Sequence, residues 1–144
     1  MPMIAGGCLC GAVRYRSQAE PVMQVICHCK TCQKNSGSAF SMNVAVPQDS
    51  LELEGDEPRG YEDRSGSSGQ PFYRQYCAKC GSQVYSHGAA YGALAFIKAG
   101  TLDDATWLTP TVHILAHASP RLTPVLAHYE SPGGAPQCRD EVKG

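Results

Sequence analysis

The run Cys77-Ala78-Lys79-Cys80-Gly81-Ser82 places two cysteines three positions apart and follows the second with a glycine. Short strand-like segments, Phe72 to Tyr76 and Gln83 to Ser86, lie on either side, so the run predicts a tight turn between two strands. The glycine allows the chain to reverse and brings amide N–H groups near the sulfurs. Such a turn aims two thiolates at one metal ion. A redox dithiol would instead sit at the start of a helix, and no helical pattern follows here.

A second cysteine pair lies near the start of the chain, in Cys8-Leu9-Cys10-Gly11. Alternate residues of an extended segment share one face, so these two sulfurs would converge while Leu9 points away. The two pairs together predict a tetrahedral, closed site for a structural zinc, with no position left for a substrate. Such a metal would join the first strand to the later hairpin. The four expected ligands are Cys8, Cys10, Cys77 and Cys80.

The chain has few large apolar side chains, so its hydrophobic core alone would be weak without such a metal. Leu, Ile, Val and Phe make up 25 of its 144 residues, beside 15 Gly, 10 Pro and 8 Cys. The net charge is -1 and no basic run stands out, which argues against nucleic acid as a partner. No stretch is apolar for the about 18 residues that a membrane helix needs, and the first residues lack the features of a secretory signal. We therefore expect a soluble, cytoplasmic protein without a membrane partner, in which cysteine clusters bind metal.

A third cluster, Cys27-His28-Cys29-Lys30-Thr31-Cys32, places three thiols within one short segment. Three thiolates on one zinc leave its fourth position open, which is typical of a catalytic zinc. The cluster predicts a second metal site on Cys27, Cys29 and Cys32, which would lose metal or oxidise more readily than a closed site. His28 is expected to point away from the sulfurs and to hydrogen-bond a neighbouring backbone group.

Ordinary free cysteines are the weakest alternative, because three thiols this close would be easily oxidised without a purpose, and two other interpretations of this cluster stay open. A fourth protein ligand would close the site and make it structural. The candidates for that ligand are Cys138, His87, His113, His117 and His128. A redox disulfide between Cys29 and Cys32 is the other interpretation. Against a ligand role, Cys138 lies in a weak C-terminal tail, and His113 and His117 lie in an apolar run that is typical of a strand.

The segment after the third cluster, Ser36-Gly37-Ser38, offers small donor groups that could bind an anionic part of a substrate. The competing interpretation is a plain turn. Apart from one helical turn expected after Asp103, helix is expected only around Lys30 to Asn35.

Strand-like segments dominate the rest of the chain and predict a single, mainly β, zinc-binding domain over residues 1–130. The stretch from Gly55 to Pro71 is expected to be an exposed loop or a loose hairpin. Residues 131–144 are expected to form a flexible tail. The predicted strands are Ala12 to Arg16, Val22 to Ile26, Phe40 to Val46, Leu51 to Glu54, Phe72 to Tyr76, Gln83 to Ser86 and Leu94 to Ala99.

Taken in order, the cysteine motifs resemble the glutathione-dependent formaldehyde-activating enzyme family, which is related to centromere protein V. Two further segments, Ala99 to Asp104 and Pro110 to Ile114, are also similar to that family. The resemblance implies the Mss4-like β-tent fold, with antiparallel sheets pinned by the four-cysteine zinc and a second zinc on the three-cysteine cluster. The three motifs that carry it are Gly6 to Tyr15, Cys27 to Phe40 and Tyr76 to Ser82.

The resemblance also implies an activity, the condensation of formaldehyde with glutathione to S-hydroxymethylglutathione, formally a carbon-sulfur lyase reaction run backwards. A zinc-dependent lyase that acts on a thiol-aldehyde adduct, with glutathione as its small-molecule partner, is therefore the first hypothesis. The rival hypothesis is a non-enzymatic zinc-binding module that presents its loops to a protein partner. A peptide methionine sulfoxide reductase would need two Cys-x-x-Cys pairs and a separate reactive cysteine, so that class is rejected.

Overall fold

The structure is a computed structural model that describes residues 3–110, 112–114 and 137–138. The chain divides into two compact units. Met1–Met23 and Val44–Thr106 form the first unit, and Gln24–Asn43 and Trp107–Gly144 form the second. The expected domain boundary at residue 130 lies outside the described residues, as does the expected tail except for 137–138.

Strands dominate the described residues, which confirms the expected mainly β architecture. One α-helix, α1 (Lys30–Ser36), and three short 3-10 turns accompany them. No helix in the described ranges is long and apolar enough to cross a membrane. The strands are β1 (Ile4–Gly7), β2 (Val13–Ser17), β3 (Met23–Cys27), β4 (Ser41–Pro47), β5 (Glu52–Gly55), β6 (Arg59–Asp63), β7 (Phe72–Tyr76), β8 (Gln83–His87), β9 (Leu94–Lys98), β10 (Val112–Ile114) and β11 (Gln137–Cys138).

In the first unit, β1, β2 and β5 form an antiparallel sheet with β2 in the middle. Buried residues alternate with more exposed ones along β1 and β2, the pattern of strands with one face toward a core. Val13 and Tyr15 lie on the buried face, and the Tyr15 hydroxyl hydrogen-bonds the Thr101 hydroxyl at 2.8 Å. Arg14 and Arg16 lie on the opposite face and pair with acidic side chains.

The same unit contains an antiparallel meander of strands in the order β9-β8-β7-β6. Its residues Val84, Ala95 and Ile97 are fully buried and belong to the core. The register of β7 on β8 shifts between Gln75 and Tyr76. The cysteine turn between β7 and β8 follows directly after that shift, so the meander positions the turn.

In the second unit, β10 lies between β3 and β11 and is parallel to both. The described strands therefore combine the antiparallel pairing that the family resemblance implies with two parallel pairs. In the β3–β10 pair, His113 is opposite Ile26 and Ile114 is opposite Cys27. This register brings a residue late in the chain beside the three-cysteine segment.

Helix α1 begins inside the three-cysteine segment, as expected. Cys29 is its N-cap, and the Cys29 sulfur accepts the N–H of Cys32 at 3.1 Å. The helix ends at Gly37, whose φ of 65° is in the left-handed region that glycine adopts without strain. The cap and the glycine together confine the helix to two turns.

All seven predicted strands are present, with ends within one residue of the expected ones, whereas two further strands in the first unit were not predicted. The first is β1. The second is β6, which lies in the stretch expected to be a loop or loose hairpin. It is an edge strand that pairs with β7, and residues 64–71 connect the two strands. The prediction of a helical turn after Asp103 is wrong. The Asp104 carboxylate accepts the N–H and the hydroxyl of Thr106 at 2.9 and 2.6 Å and closes a non-helical turn.

Gly6 lies on the buried face of β1, where a side chain has no room. A Cβ atom there would overlap the Thr101 carbonyl oxygen and the Tyr15 hydroxyl. We expect Gly6→Ala to lower the free energy of unfolding by about 1–3 kcal/mol, because a backbone atom must shift. Thermal unfolding measures this, with Gly100→Ala as the control, since a Cβ at Gly100 meets no described atom within 4 Å. Equal melting temperatures for the two variants would contradict the prediction.

Candidate functional site

Four cysteines of the first unit bring their sulfur atoms together. Cys8 and Cys10 follow β1, whereas Cys77 and Cys80 lie between β7 and β8. All four Sγ atoms lie within 4.8 Å of one another. The Cys8 and Cys10 sulfurs are 3.6 Å apart, and the Cys10 and Cys77 sulfurs are 3.8 Å apart. Zinc-sulfur bonds of about 2.3 Å in a tetrahedron give sulfur-sulfur edges of about 3.8 Å, so this group fits a zinc ion.

The backbone at the first cysteine pair is a turn and not the extended segment that the sequence analysis assumed. The Gly11 N–H donates to the Cys8 carbonyl at 3.1 Å, and the φ of Gly11 is 78°. Leu9 is at the tip of this turn and is 89% exposed. The two sulfurs therefore converge because the chain folds back between them, and Leu9 points away as expected.

The pair Cys77 and Cys80 lies in the tight turn that its spacing predicts. The Cys77 N–H donates to the Ser82 carbonyl at 3.0 Å, and the Gly81 N–H donates to the Cys77 carbonyl at 2.8 Å. Gly81 has a φ of 75°, which explains why a glycine follows the second thiol. No helix starts here in the described structure, so the turn does not match the usual site of a redox dithiol.

Ser82 is a residue of this site that the sequence analysis did not single out. The Leu9 N–H donates to the Ser82 hydroxyl oxygen at 3.0 Å, and the same oxygen lies 3.2 Å from the Cys80 sulfur. Because the hydroxyl already accepts from Leu9, its proton is available to the sulfur. Hydrogen bonds from the Ser82 side chain and backbone lower the pKa of Cys80 to about 5. The sequence feature that could have indicated this role is a serine two positions after Cys80.

The other thiols of this group depend on one another for their ionisation. Burial opposes the ionisation of Cys8, but the Val13 N–H at 3.3 Å and the thiols of Cys10 and Cys77 outweigh it and lower the pKa of Cys8. The Ala12 N–H favours the Cys10 thiolate, yet the Cys8 thiol and burial raise the pKa of Cys10 to about 11. Four thiols this close do not all ionise without a compensating cation. A divalent metal supplies that charge, which is a second reason why the group fits a metal ion.

The second cysteine group lies in the second unit, where Cys27, Cys29 and Cys32 bring their Sγ atoms within 4.8 Å of one another. Cys27 is the last residue of β3 and is buried, whereas Cys29 and Cys32 are half-buried at the start of α1. The neighbouring thiols and burial raise the pKa of Cys27 far above its ordinary value. This group therefore also has the spacing and the chemistry of a metal site, with one thiol in the core and two toward solvent.

The candidates for a fourth ligand, which a closed site would need, do not join this group among the residues that the structure describes. His113 contacts a histidine and is not part of the three-sulfur group, and the His87 Nε2 lies 3.1 Å from the side-chain nitrogen of Gln75 in the first unit. His117 and His128 lie outside the described residues. Only the backbone of Cys138 is described: it lies in β11, opposite His113 of β10. The open fourth position therefore stays a prediction.

His28 points away from the sulfurs, as expected, but its ring contacts another side chain where we expected a backbone group. The Nε2 atom of His28 lies 3.0 Å from the Nδ1 atom of His113, and both residues are 1% exposed. Burial lowers the pKa of each imidazole. Since one ring must donate and the other accept, the pair suits two neutral rings. Nothing in the sequence around either histidine indicated that the two rings meet.

The segment expected to bind an anionic part of the substrate forms the end of α1. The Gly37 N–H donates to the Gln33 carbonyl at 2.9 Å, and the Ser36 hydroxyl donates to the Cys32 carbonyl at 2.7 Å. The same hydroxyl accepts the Ser38 N–H at 3.2 Å. These contacts support the competing interpretation as a turn, and a role of Ser36, Gly37 and Ser38 in substrate binding stays a prediction.

Comparisons with known proteins place the fold and the family. A crystal structure of a Rhodobacter sphaeroides protein is similar to this chain, with a TM-score of 0.56 and 15% sequence identity, and the match covers 74% of this chain and 91% of that chain. At this identity the likeness concerns the fold alone. No curated protein gives a significant sequence match. The family model described as glutathione-dependent formaldehyde-activating enzyme matches residues 3–118. With most of its length matched, the chain belongs to the glutathione-dependent formaldehyde-activating enzyme family.

Proposed function

We propose that this protein is a zinc-dependent, carbon-sulfur lyase-type enzyme that forms or cleaves thiol-aldehyde adducts. Its metal would be held by Cys27, Cys29 and Cys32, and its small-molecule partner would be a thiol such as glutathione, with formaldehyde as the aldehyde. A second zinc on the four-cysteine group would be structural. The many closely spaced thiols suit a reducing compartment, which supports a cytoplasmic location.

The observation that carries this proposal is the count of sulfurs in the second group. Three Sγ atoms converge there, and the structure adds no fourth ligand from its described residues. A zinc with three protein ligands keeps a position for a substrate, whereas one with four thiolates does not. When bound, such a zinc would supply a Lewis acid that lowers the pKa of a thiol or polarises a carbonyl group.

The partial exposure of two of the three thiols supports access for a small molecule. Cys27 is buried, while Cys29 and Cys32 are half-buried. The segment Gln24–Asn43 contains Lys30 and Lys34 and no Asp or Glu, and both lysines are exposed on α1. Positive charge beside the cluster favours an anionic thiol such as glutathione over a neutral one.

The reaction itself asks little of the protein beyond positioning. In the forward direction the thiol sulfur bonds to the aldehyde carbon, and the thiol proton ends on the former carbonyl oxygen. Thiols and formaldehyde combine without a catalyst, so the needed acceleration is modest and comes from holding the two reactants together. The anchored ends of the three-cysteine segment, β3 on one side and α1 on the other, supply a fixed frame for that.

Zinc content and adduct exchange, measured together under reducing conditions, test the proposal. The wild type should carry two zincs per chain and accelerate the exchange of hydroxymethyl groups between formaldehyde and glutathione, followed by nuclear magnetic resonance. Cys29→Ser should carry about one zinc, keep its fold and lose the acceleration, because two thiolates hold zinc poorly.

The matched comparison is Cys138→Ser, which removes a thiol that we place outside the site. It should keep both zincs and the acceleration. Loss of the second zinc in this variant would instead make the site a closed, four-ligand one. Two zincs without acceleration for any thiol tested would favour the protein-interaction module over the enzyme.

A further inference from the structure

His28 holds the three-cysteine segment against other parts of the second unit through both its ring and its backbone. It lies between Cys27 and Cys29, and its ring lies edge to edge with the ring of His113, with centroids 5.3 Å apart and planes at 17°. The ring of Phe40 packs against it from another direction at 5.9 Å. With 1% exposure, the imidazole is enclosed.

The backbone of His28 is held as firmly as its ring. Its N–H donates to the Ile114 carbonyl of β10 at 3.0 Å. Its carbonyl accepts the side-chain N–H of Gln33 in α1 at 2.9 Å. The residue between two expected ligands is thus tied to β10 by both its main chain and its side chain, and to α1 by its carbonyl.

We propose that His113 is a positioning residue for the three-cysteine metal site. Its hydrogen bond to the His28 ring fixes the segment between Cys27 and Cys29, so that their sulfurs meet that of Cys32 at one point. This inference rests on the proposed function, because it requires that the cluster binds zinc.

The geometry explains why this contact matters for the metal. A C-x-C segment directs both sulfurs to one side only while the residue between them is directed to the other, and the 3.0 Å contact holds His28 there. If that contact is lost, the segment gains freedom to rotate and the sulfur-sulfur spacing varies. Groups that hydrogen-bond metal ligands directly are typically worth about 10–100-fold in metal affinity, and His113 acts one residue further away, through His28. His113 itself is not one of the grouped ligands.

Two substitutions of His113 separate the hydrogen bond from the volume of the ring. His113→Leu fills most of the space but offers no polar atom to His28. His113→Asn is smaller, yet its side-chain amide can present a polar atom near the position of Nδ1. If His113 contributes by packing alone, His113→Leu should weaken zinc binding less than His113→Asn. If it contributes by its hydrogen bond, His113→Asn should weaken zinc binding less.

The measurement is zinc release to a chromophoric chelator from each full-length variant, together with the visible absorption of the cobalt(II)-loaded protein, which reports the coordination at the thiolates. We expect His113→Leu to weaken zinc binding at the second site by about 10-fold, the lower end of that range, and His113→Asn to keep most of the wild-type affinity. Neither variant should change the release from the four-cysteine site. His87→Leu is the matched control, because it removes a histidine of the first unit, and it should leave the second site unchanged.

The outcomes are distinct for the two proposals. Wild-type affinity in His113→Leu, or an equal loss in His113→Asn, would overturn the positioning role while leaving the proposed function intact. A wild type that binds a single zinc would overturn both. Weaker zinc binding in Leu with recovery in Asn supports the positioning role.

Discussion

Cys77→Ser should leave a chain whose first unit does not fold under conditions in which the wild type is stable. Cys77 is 1% exposed, and its sulfur lies 3.8 Å from that of Cys10. Structural zinc sites contribute about 10–16 kcal/mol of apparent binding free energy. Domains are stable by about 5–15 kcal/mol in total, so the loss of a contribution of this size is enough to unfold the first unit. The loss of folding would be measured by circular dichroism, as the loss of the strand signal, and by the zinc content per chain.

The control for this prediction is Cys32→Ser, which removes a thiol of the second group by the same chemical change. It should retain the strand signal and one zinc per chain. Removal of zinc from the wild type by a strong chelator under reducing conditions should reproduce the Cys77→Ser result. A Cys77→Ser protein with the wild-type spectrum and melting temperature would show that the four-cysteine group does not stabilise the fold.

The sequence predicted those strands whose side chains themselves favour a pleated, buried surface. In β4, Val44, Ala45 and Val46 form a continuous buried run, and β8 places Val84 and Tyr85 in the core. β-branched and aromatic residues of this kind favour strands wherever they pack. Local composition was therefore sufficient for these elements.

The two missed strands form for reasons that lie outside their own residues. Half of β1 is glycine, and Gly6 is required because the Tyr15 ring and the Thr101 carbonyl occupy the space of a side chain. β6 is polar and mostly exposed, and it is a strand because β7 pairs with it along one edge. Neither partner is visible from the local pattern, so tertiary context decided both strands.

The two cysteine groups followed from spacing, whereas their supporting contacts did not. Cysteine pairs a few residues apart restrict the geometry so strongly that the sets of converging sulfurs can be named in advance. Ser82 and the turn at Gly11 depend on how two distant segments meet. The contact between His28 and His113 joins residues 85 positions apart, and it requires the parallel register of β3 and β10, which no local pattern specifies.

The second large effect is expected at a buried ion pair in the first unit. Asp63 and Arg74 are 7% and 6% exposed, and the Arg74 Nε lies 2.9 Å from a carboxylate oxygen of Asp63. The other carboxylate oxygen accepts the N–H and the hydroxyl of Ser65 at 2.9 and 2.6 Å. Both carboxylate oxygens therefore hold hydrogen bonds, and the tip of the β6–β7 hairpin is tied to the sheet through them.

Asp63→Asn should lower the free energy of unfolding by about 3–5 kcal/mol, because it leaves the Arg74 guanidinium buried without its counter-charge. Chemical denaturation measures the change. Glu62→Gln is the matched control: the Glu62–Arg64 pair is on the surface, and exposed pairs contribute about 0–1 kcal/mol. Equal losses in the two variants would contradict a special role for the buried pair.

The same ion pair predicts how stability depends on pH. Burial opposes the ionisation of Asp63, but its hydrogen bonds with Ser65 and Arg74 outweigh burial and hold the pKa of Asp63 below its ordinary value. A carboxyl group whose pKa is lowered on folding stabilises the protein above the pKa of the unfolded chain, about 3.9 for Asp, and that contribution is lost as the pH falls through the lower, folded value. Wild type and Asp63→Asn should therefore differ in stability at neutral pH and converge in acid. A difference that stays constant from neutral to acid pH would mean that the charge of Asp63 is not its source.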